Sequence, residues 1–186
     1  MAKIWRLALT AVIAALTLVA CVSSRRVAVG LSPDMEIHYT IYPSIEFDAA
    51  AVTDDEATQI KKAGVDGYFS PDNPLRKRLN PFTAYFGEEA TAPRTLYARS
   101  ALWRTWQNKK PTKMVFIADL PHSPNMPEDD PRLFFLDIKK RFLTPGAVYI
   151  EIEPDKIVRV YTKPKDPRSN SSKKSKAGAG EPPGSG

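Results

Sequence analysis

Ala147-Val148-Tyr149-Ile150-Glu151-Ile152, followed after Glu153-Pro154-Asp155-Lys156 by Ile157-Val158-Arg159-Val160-Tyr161-Thr162, decides the fold. Val148, Ile150 and Ile152 alternate with Tyr149 and Glu151, the period of two that puts successive side chains on opposite faces of a strand. Pro154-Asp155 supplies turn residues in favoured positions, and Ile157 to Thr162 runs back, so the stretch reads as a β-hairpin. Upstream, Leu133 to Ile138 is a further strand. Met114 to Leu120 is a continuous apolar run stopped by Pro121, the pattern of a central strand buried on both faces. Phe82 to Phe86 is another strand. Ile37, Tyr39 and Ile41 alternate with His38 and Thr40, which predicts a half-buried strand over Glu36–Tyr42, continued by Ile45 and Phe47 beyond Pro43.

The helical signals are short. Thr53-Asp54-Asp55-Glu56 is a capping box, with Thr53 as N-cap, Glu56 reaching back and acids at the positive end of the helix dipole; Gly64 is its natural stop. Ser70-Pro71-Asp72 opens another turn carrying Leu75 and Leu79. Ser100–Lys109 is amphipathic, with Leu102, Trp103 and Trp106 on one face. The 17 prolines divide the chain into short elements, and there is no internal repeat. The fold class expected is mainly β: a compact antiparallel β-sandwich of at least five strands, with two or three short helices in the connections.

The N-terminal segment reads differently. Lys3 and Arg6 precede an apolar stretch, Leu7 to Ala20, interrupted only by Thr10 and Thr17. It is shorter than the roughly 20 residues a membrane-crossing helix needs, and it ends in small residues as a cleaved secretory signal does. Leu18-Val19-Ala20-Cys21 then resembles the lipobox of bacterial lipoproteins, and Cys21 is the chain's one cysteine. The resemblance implies that Cys21 is acylated and begins the mature protein. Two or more acyl chains hold a protein stably on a membrane, at about 0.8 kcal/mol per buried CH₂. Val22 stands where some enteric bacteria place the aspartate that retains a lipoprotein at the inner membrane, so the expected location is the outer membrane, facing the periplasm. With Cys21 acylated no thiol remains for a disulfide, and a hydrophobic core must supply stability.

These readings divide the chain into a signal peptide at 1–20, a tether at 21–34, a β-rich periplasmic domain at 35–162 and a basic tail at 163–186. The formal charge of +6 comes from the ends. Lys3 and Arg6 belong to the signal, and Lys163, Lys165, Arg168, Lys173, Lys174 and Lys176 outnumber Asp166 and Glu181 in the tail. The remainder is close to neutral, which does not fit a nucleic-acid-binding domain with its basic face. Apart from its prolines, the tail holds no aliphatic or aromatic side chain larger than alanine's beyond Thr162 and is expected to be disordered.

Little in the sequence points to catalysis. No serine sits in a Gly-x-Ser-x-Gly elbow, two histidines (His38 and His122) do not make a zinc site, and there is no Gly-rich phosphate loop before a helix. A Ser-His-Asp arrangement would have to use His122 with Asp119. Glu128-Asp129-Asp130 is an acidic cluster in a Pro-rich loop; calcium ligation and simple solvation are its two readings. The expectation is no enzyme, no cofactor and no metal. Trp103 and Trp106 read either as core or as an aromatic platform for a ligand. Phe134 and Phe135 point to opposite sides of one strand, so one is core and the other is covered by a helix, covered by a partner, or exposed.

Lys113–Leu120, Asp130–Leu136 and the hairpin Ala147–Tyr161 are similar to the later strands of the small outer-membrane lipoproteins of type VI secretion systems. That resemblance implies a transthyretin-like β-sandwich and a non-enzymatic role, docking the periplasmic part of a large inner-membrane protein to the outer membrane. The group's early Val-rich Arg-Ile-Tyr strand has no clear counterpart here, and no partner-binding residue is carried over. The alternative role is a periplasmic lipoprotein binding a small ligand or cell-wall polymer. The partners expected are membrane lipid, through acylated Cys21, and an envelope protein.

Overall fold

The computed structural model describes residues 26–121, 129–138 and 147–169. In chain order the elements are β1 (Arg26–Leu31), α1 (Asp34–His38), β2 (Ile45–Val52), α2 (Asp54–Phe69), α3 (Pro74–Leu79), β3 (Phe82–Phe86), β4 (Arg94–Tyr97), α4 (Ala101–Asn108), β5 (Lys113–Ala118), β6 (Leu133–Asp137), β7 (Ala147–Ile152) and β8 (Ile157–Val160). They make a mainly β fold of two four-stranded sheets, in the order β4-β1-β7-β8 (sheet I) and β3-β2-β5-β6 (sheet II). The sheets pack as a sandwich. Val27, Val29, Leu31, Ile150 and Ile152 of sheet I share one core with Phe47, Ala49, Ala51, Met114 and Phe116 of sheet II.

Sheet II is antiparallel throughout. Its inner face carries a ladder of rings, with Phe116 stacked between Phe47 (6.4 Å) and Phe134 (5.9 Å). Its outer face carries Asp48, Val115, Ile117 and Phe135, with α2 and α3 lying against it. The β5 run is buried on both faces, as its unbroken apolar sequence predicts. Phe134 is the core member of its pair. Phe135 is half-buried against α2, where the Lys61 ammonium sits 5.5 Å from its ring centre.

Sheet I corrects the sequence reading. Its β1, Arg-Val-Ala-Val-Gly-Leu, lies within the stretch read as tether, and it pairs parallel with β7 over six register positions. Ala28 and Gly30 on its outer face are small but not polar, so the strand lacks the apolar–polar alternation that marks β7. The short β4 also went unpredicted. All other ladders are antiparallel.

Residues 36–42 form no strand. Met35 N–H donates to Ser32 O and Tyr39 N–H to Met35 O, closing the single turn of α1 behind Pro33. Met35 alone of this turn is buried. The strand begins after Pro43, at Ile45. The capping box at Thr53 forms as its residue types predict. Gly64 does not stop the helix; at φ 68° it kinks it, and α2 resumes to Phe69. Glycine tolerates that left-handed backbone without a Cβ clash. Four helices appear among the described residues, where two or three were expected.

The start of the tail belongs to the domain. Pro164 packs on Gly30, so closely that a Cβ at Gly30 would lie 2.6 Å from Pro164 Cβ. Thr91 Oγ1 donates to Asp166 Oδ1 (2.9 Å), and Arg168 pairs with Glu88. Residues 163–169 thus strap the outer face of sheet I.

The topology gives the sandwich two ends. At the near end β1 begins, β4 and β8 finish and β7 begins, since Arg26 is level with Tyr97 and Ala147. At the far end lie α1, the β3–β4 connection, the β7–β8 turn and the strap. Sheet I spans about 20 Å between them, six residues at about 3.3 Å each.

Candidate docking surface

Two isoleucines stand out at the far end. Ile37 in α1 is 84% exposed and Ile41, just beyond it, is 66% exposed. The segment that carries them is fixed on its other side. Met35 is fully buried, Tyr39 Oη donates to Pro154 O (3.1 Å), and Tyr42 is buried with its N–H donating to Glu88 Oε2 (3.0 Å). The Arg168 guanidinium lies over the Tyr42 ring, 5.3 Å from its centre. Glu88 therefore joins three segments, taking Tyr42 N–H with one oxygen and Arg168 with the other. Burial, then the charge of Asp155, raises the Tyr39 hydroxyl pKa. Burial and Glu36 raise that of Tyr42, against the pull of Arg168. Both phenols stay neutral.

Exposed apolar side chains on an element that is already ordered lose little further entropy when a partner covers them. Their surroundings are acidic. The connection 32–44 carries Asp34 and Glu36 with no lysine or arginine, 87–93 carries Glu88 and Glu89, and the β7–β8 turn carries Glu153 and Asp155 against Lys156; with Asp166 of the strap these acids outnumber Lys156, Lys163, Lys165 and Arg168. Such a surface suits a partner that offers apolar pockets with a cationic rim.

A second polar constellation lies on the outer face of sheet II. Asp48, 1% exposed, accepts from Arg76 Nε (2.8 Å), Tyr68 Oη (2.9 Å) and Thr83 Oγ1 (2.6 Å). Arg76 also pairs with Glu46 and lies over the Phe69 ring at 4.8 Å. Burial above all, then Asp48, lifts the Tyr68 pKa far above its usual range, so Tyr68 remains a donor. Both oxygens of Asp48 and the Tyr68 and Thr83 hydroxyls are used inside the fold, which makes the cluster a tie between β2, α2, α3 and β3. Arg132, 2% exposed, is a similar tie at the far end. It pairs with Asp66 and Asp130 (2.9 Å each) and donates to Leu120 O (3.1 Å).

The residues singled out from sequence do not come together. Cys21, with the signal and the first five residues of the tether, lies outside the described residues, as do His122, Glu128 and residues 170–186. His38 ends α1, its ring edge-on to Tyr39 at 4.6 Å. Asp119 is exposed and Asp130 is taken by Arg132. Among the described residues no three of His, Cys, Asp and Glu cluster as metal ligands. Trp103 and Trp106 are buried, 5.9 Å apart, with Trp106 Nε1–H donating to Asn80 O (3.1 Å), so they are core and not a ligand platform. Ile37 and Ile41 were visible in the sequence but placed on a strand. Asp48 carried a signal that was missed: an acid between Phe47 and Ala49 in a buried strand demands a partner.

No protein-family model matches the chain, and no curated protein matches it by sequence. Among solved structures it is similar to Serratia marcescens Lip, a membrane-bound component of the type VI secretion system, at 10% identity and TM-score 0.48, over 75% of this chain and 98% of that one. A structure of the type VI secretion protein TssM C-terminal domain from EAEC aligns at 9% identity and TM-score 0.48, over 75% and 99%. The lipoprotein TssJ1 of Pseudomonas aeruginosa aligns at 12% identity and TM-score 0.40, over 75% and 97%. The fold assignment stands on the two sheets of this chain, independently of these likenesses.

Proposed function

We propose that this chain is a non-enzymatic lipoprotein, held on the outer membrane through acylated Cys21 and facing the periplasm, that docks a second envelope protein through its far end. A trans-envelope complex of the type VI secretion kind is its most concrete setting. The observation that carries the docking role is the pair Ile37 and Ile41, held outward on a segment pinned by Met35, Tyr39 and Tyr42. The lipobox supports the anchor, and the similarity of 113–120, 130–136 and 147–161 to later strands of the secretion lipoproteins supports the setting. Cys21 lies five residues before Arg26, a reach of about 17 Å. An acyl anchor there would keep the near end at the membrane and leave the far end to the partner.

The test is co-purification from detergent-solubilised envelopes after mild cross-linking. Wild-type chain should bring down a large membrane protein, and Ile37→Asp/Ile41→Asp should lose it while the mature mass still shows acylated Cys21. Cys21→Ser should release the chain from the membrane fraction. Recovery of the chain alone from wild-type envelopes contradicts docking, and an unmodified Cys21 contradicts the anchor.

A further inference from the structure

Six of the nine described arginines contrast in whether a carboxylate meets them. Arg76, Arg132 and Arg168 pair with carboxylates. Arg26, Arg99 and Arg159 instead lie against tyrosine rings: Arg26 over Tyr149 at 5.8 Å, Arg99 over Tyr97 at 5.7 Å and Arg159 over Tyr161 at 5.6 Å. None of these three has a carboxylate within ion-pair distance among the described residues. Arg26 donates to Tyr149 Oη (2.9 Å), but its Nε, like that of Arg159, is buried without a hydrogen-bond acceptor among the described residues, which leaves the Nη groups as the donors that can face outward.

Arg26 opens β1 level with Tyr97, and Tyr149 is level with Ala28, so these residues share the outer face of the near half of sheet I; Arg159 is level with Ile150 at mid-sheet and on the opposite face, and the chain comes back to the near end at Tyr161. Tyr97 and Tyr161 are 46% and 87% exposed. The connection from β4 to β5, Tyr97 to Lys113, adds Arg104, Lys109, Lys110 and Lys113 and contains no acid. A second near-end connection, Thr53 to Pro81, balances five acids with five bases; the third, from β6 to β7, lies mostly outside the described residues. The near end is therefore basic and aromatic, and the far end acidic.

From this polarity we infer that the Arg–Tyr pairs of the near end form a second membrane contact, seated on anionic phospholipid headgroups. The inference rests on the anchor reading, because the short reach from Cys21 to Arg26 is what brings this end to the bilayer. Two properties of the surface fit that occupant. Tyrosine suits the headgroup layer, with an apolar ring and a polar hydroxyl. An arginine without a protein carboxylate offers its guanidinium fork to phosphate oxygens. Each basic residue near an anionic surface contributes about 1 kcal/mol, or about fivefold in occupancy.

The test compares the full acylated chain with Arg26→Gln/Arg99→Gln/Arg159→Gln on vesicles of phosphatidylcholine alone and on vesicles containing about a quarter phosphatidylglycerol. Flotation with the neutral vesicles reads the anchor, and backbone hydrogen exchange over 97–101 and 159–162 reads the contact. Wild type should exchange at least about fivefold more slowly on anionic than on neutral vesicles. The difference should vanish in high salt and in the triple variant, which should still float. Equal exchange on the two vesicles, or equal protection in the variant, overturns the contact. If the chain fails to float on neutral vesicles the anchor reading fails; the contact then stands only if wild type floats on anionic vesicles at low salt and the variant does not.

Discussion

The two sheets of this sandwich have the same number of strands but differ in what lies on their outer faces. Sheet II is covered, with α2 and α3 over β2, β5 and β6, and it can bury a carboxylate there because Arg76, Tyr68 and Thr83 satisfy it. Among the described residues sheet I is covered only by the strap at its far end, and its near half presents Arg26, Tyr97 and Tyr149 outward. Polar groups on a covered face must find partners inside the protein; those on an open face are left for something else to meet. The difference separates the residues that hold the fold together from those available for contact.

Breaking the covered face should have the largest effect. Asp48→Ala strips Arg76 of its buried partner and leaves the Tyr68 and Thr83 hydroxyls unpaired, so it should cost about 3–5 kcal/mol in urea unfolding. A loss below about 1 kcal/mol would mean that the cluster does not tie the helices to sheet II. An intermediate effect is expected where the strap meets sheet I. Gly30→Ala pushes a methyl into Pro164 and should cost about 1–3 kcal/mol, with faster exchange in 163–169. Arg99→Gln on the open face should leave stability within about 0.5 kcal/mol of the parent.

The smallest effect concerns Glu151, half-buried on the outer face of β7. Burial above all raises its carboxyl pKa over the ordinary 4.5, with Glu153 and Asp34 adding to the shift and a hydrogen bond from Ser32 opposing it. The folded state therefore favours the protonated acid. Its contribution is fully present below the ordinary value and is lost as pH rises through the raised one. Glu151→Gln should thus be slightly more stable than the parent at about pH 7 and show no gain at about pH 3. A variant less stable than the parent at neutral pH would contradict that sign.

The same contrast explains what the sequence disclosed. Sheet II was nearly complete in it, because Met114–Leu120 is long and apolar and Phe82–Phe86 and Leu133–Ile138 are rich in aromatic and aliphatic residues. Its helices carry real caps at Thr53 and Ser100. In sheet I only the β7–β8 hairpin could be read, since its alternation and its turn are local. The ladder that completes the sheet joins β1 to β7 across most of the chain, and nothing within Arg26–Leu31 encodes a partner so distant. Gly30 makes sense only once Pro164 is seen beside it. Ile37 and Ile41 show the opposite failure: their spacing matched a strand, but Pro43 kept that segment out of the sheet and left both side chains in solvent.

The account assigns one end of the sandwich to a protein partner and the other to lipid. The most direct test places a photo-crosslinking amino acid at position 37 in one chain and at position 97 in another, with irradiation in intact cells. Position 37 should trap a large envelope protein, and position 97 should trap lipid with no such protein. The same protein trapped from position 97 and not from position 37 would contradict the assignment and reverse the molecule on its membrane.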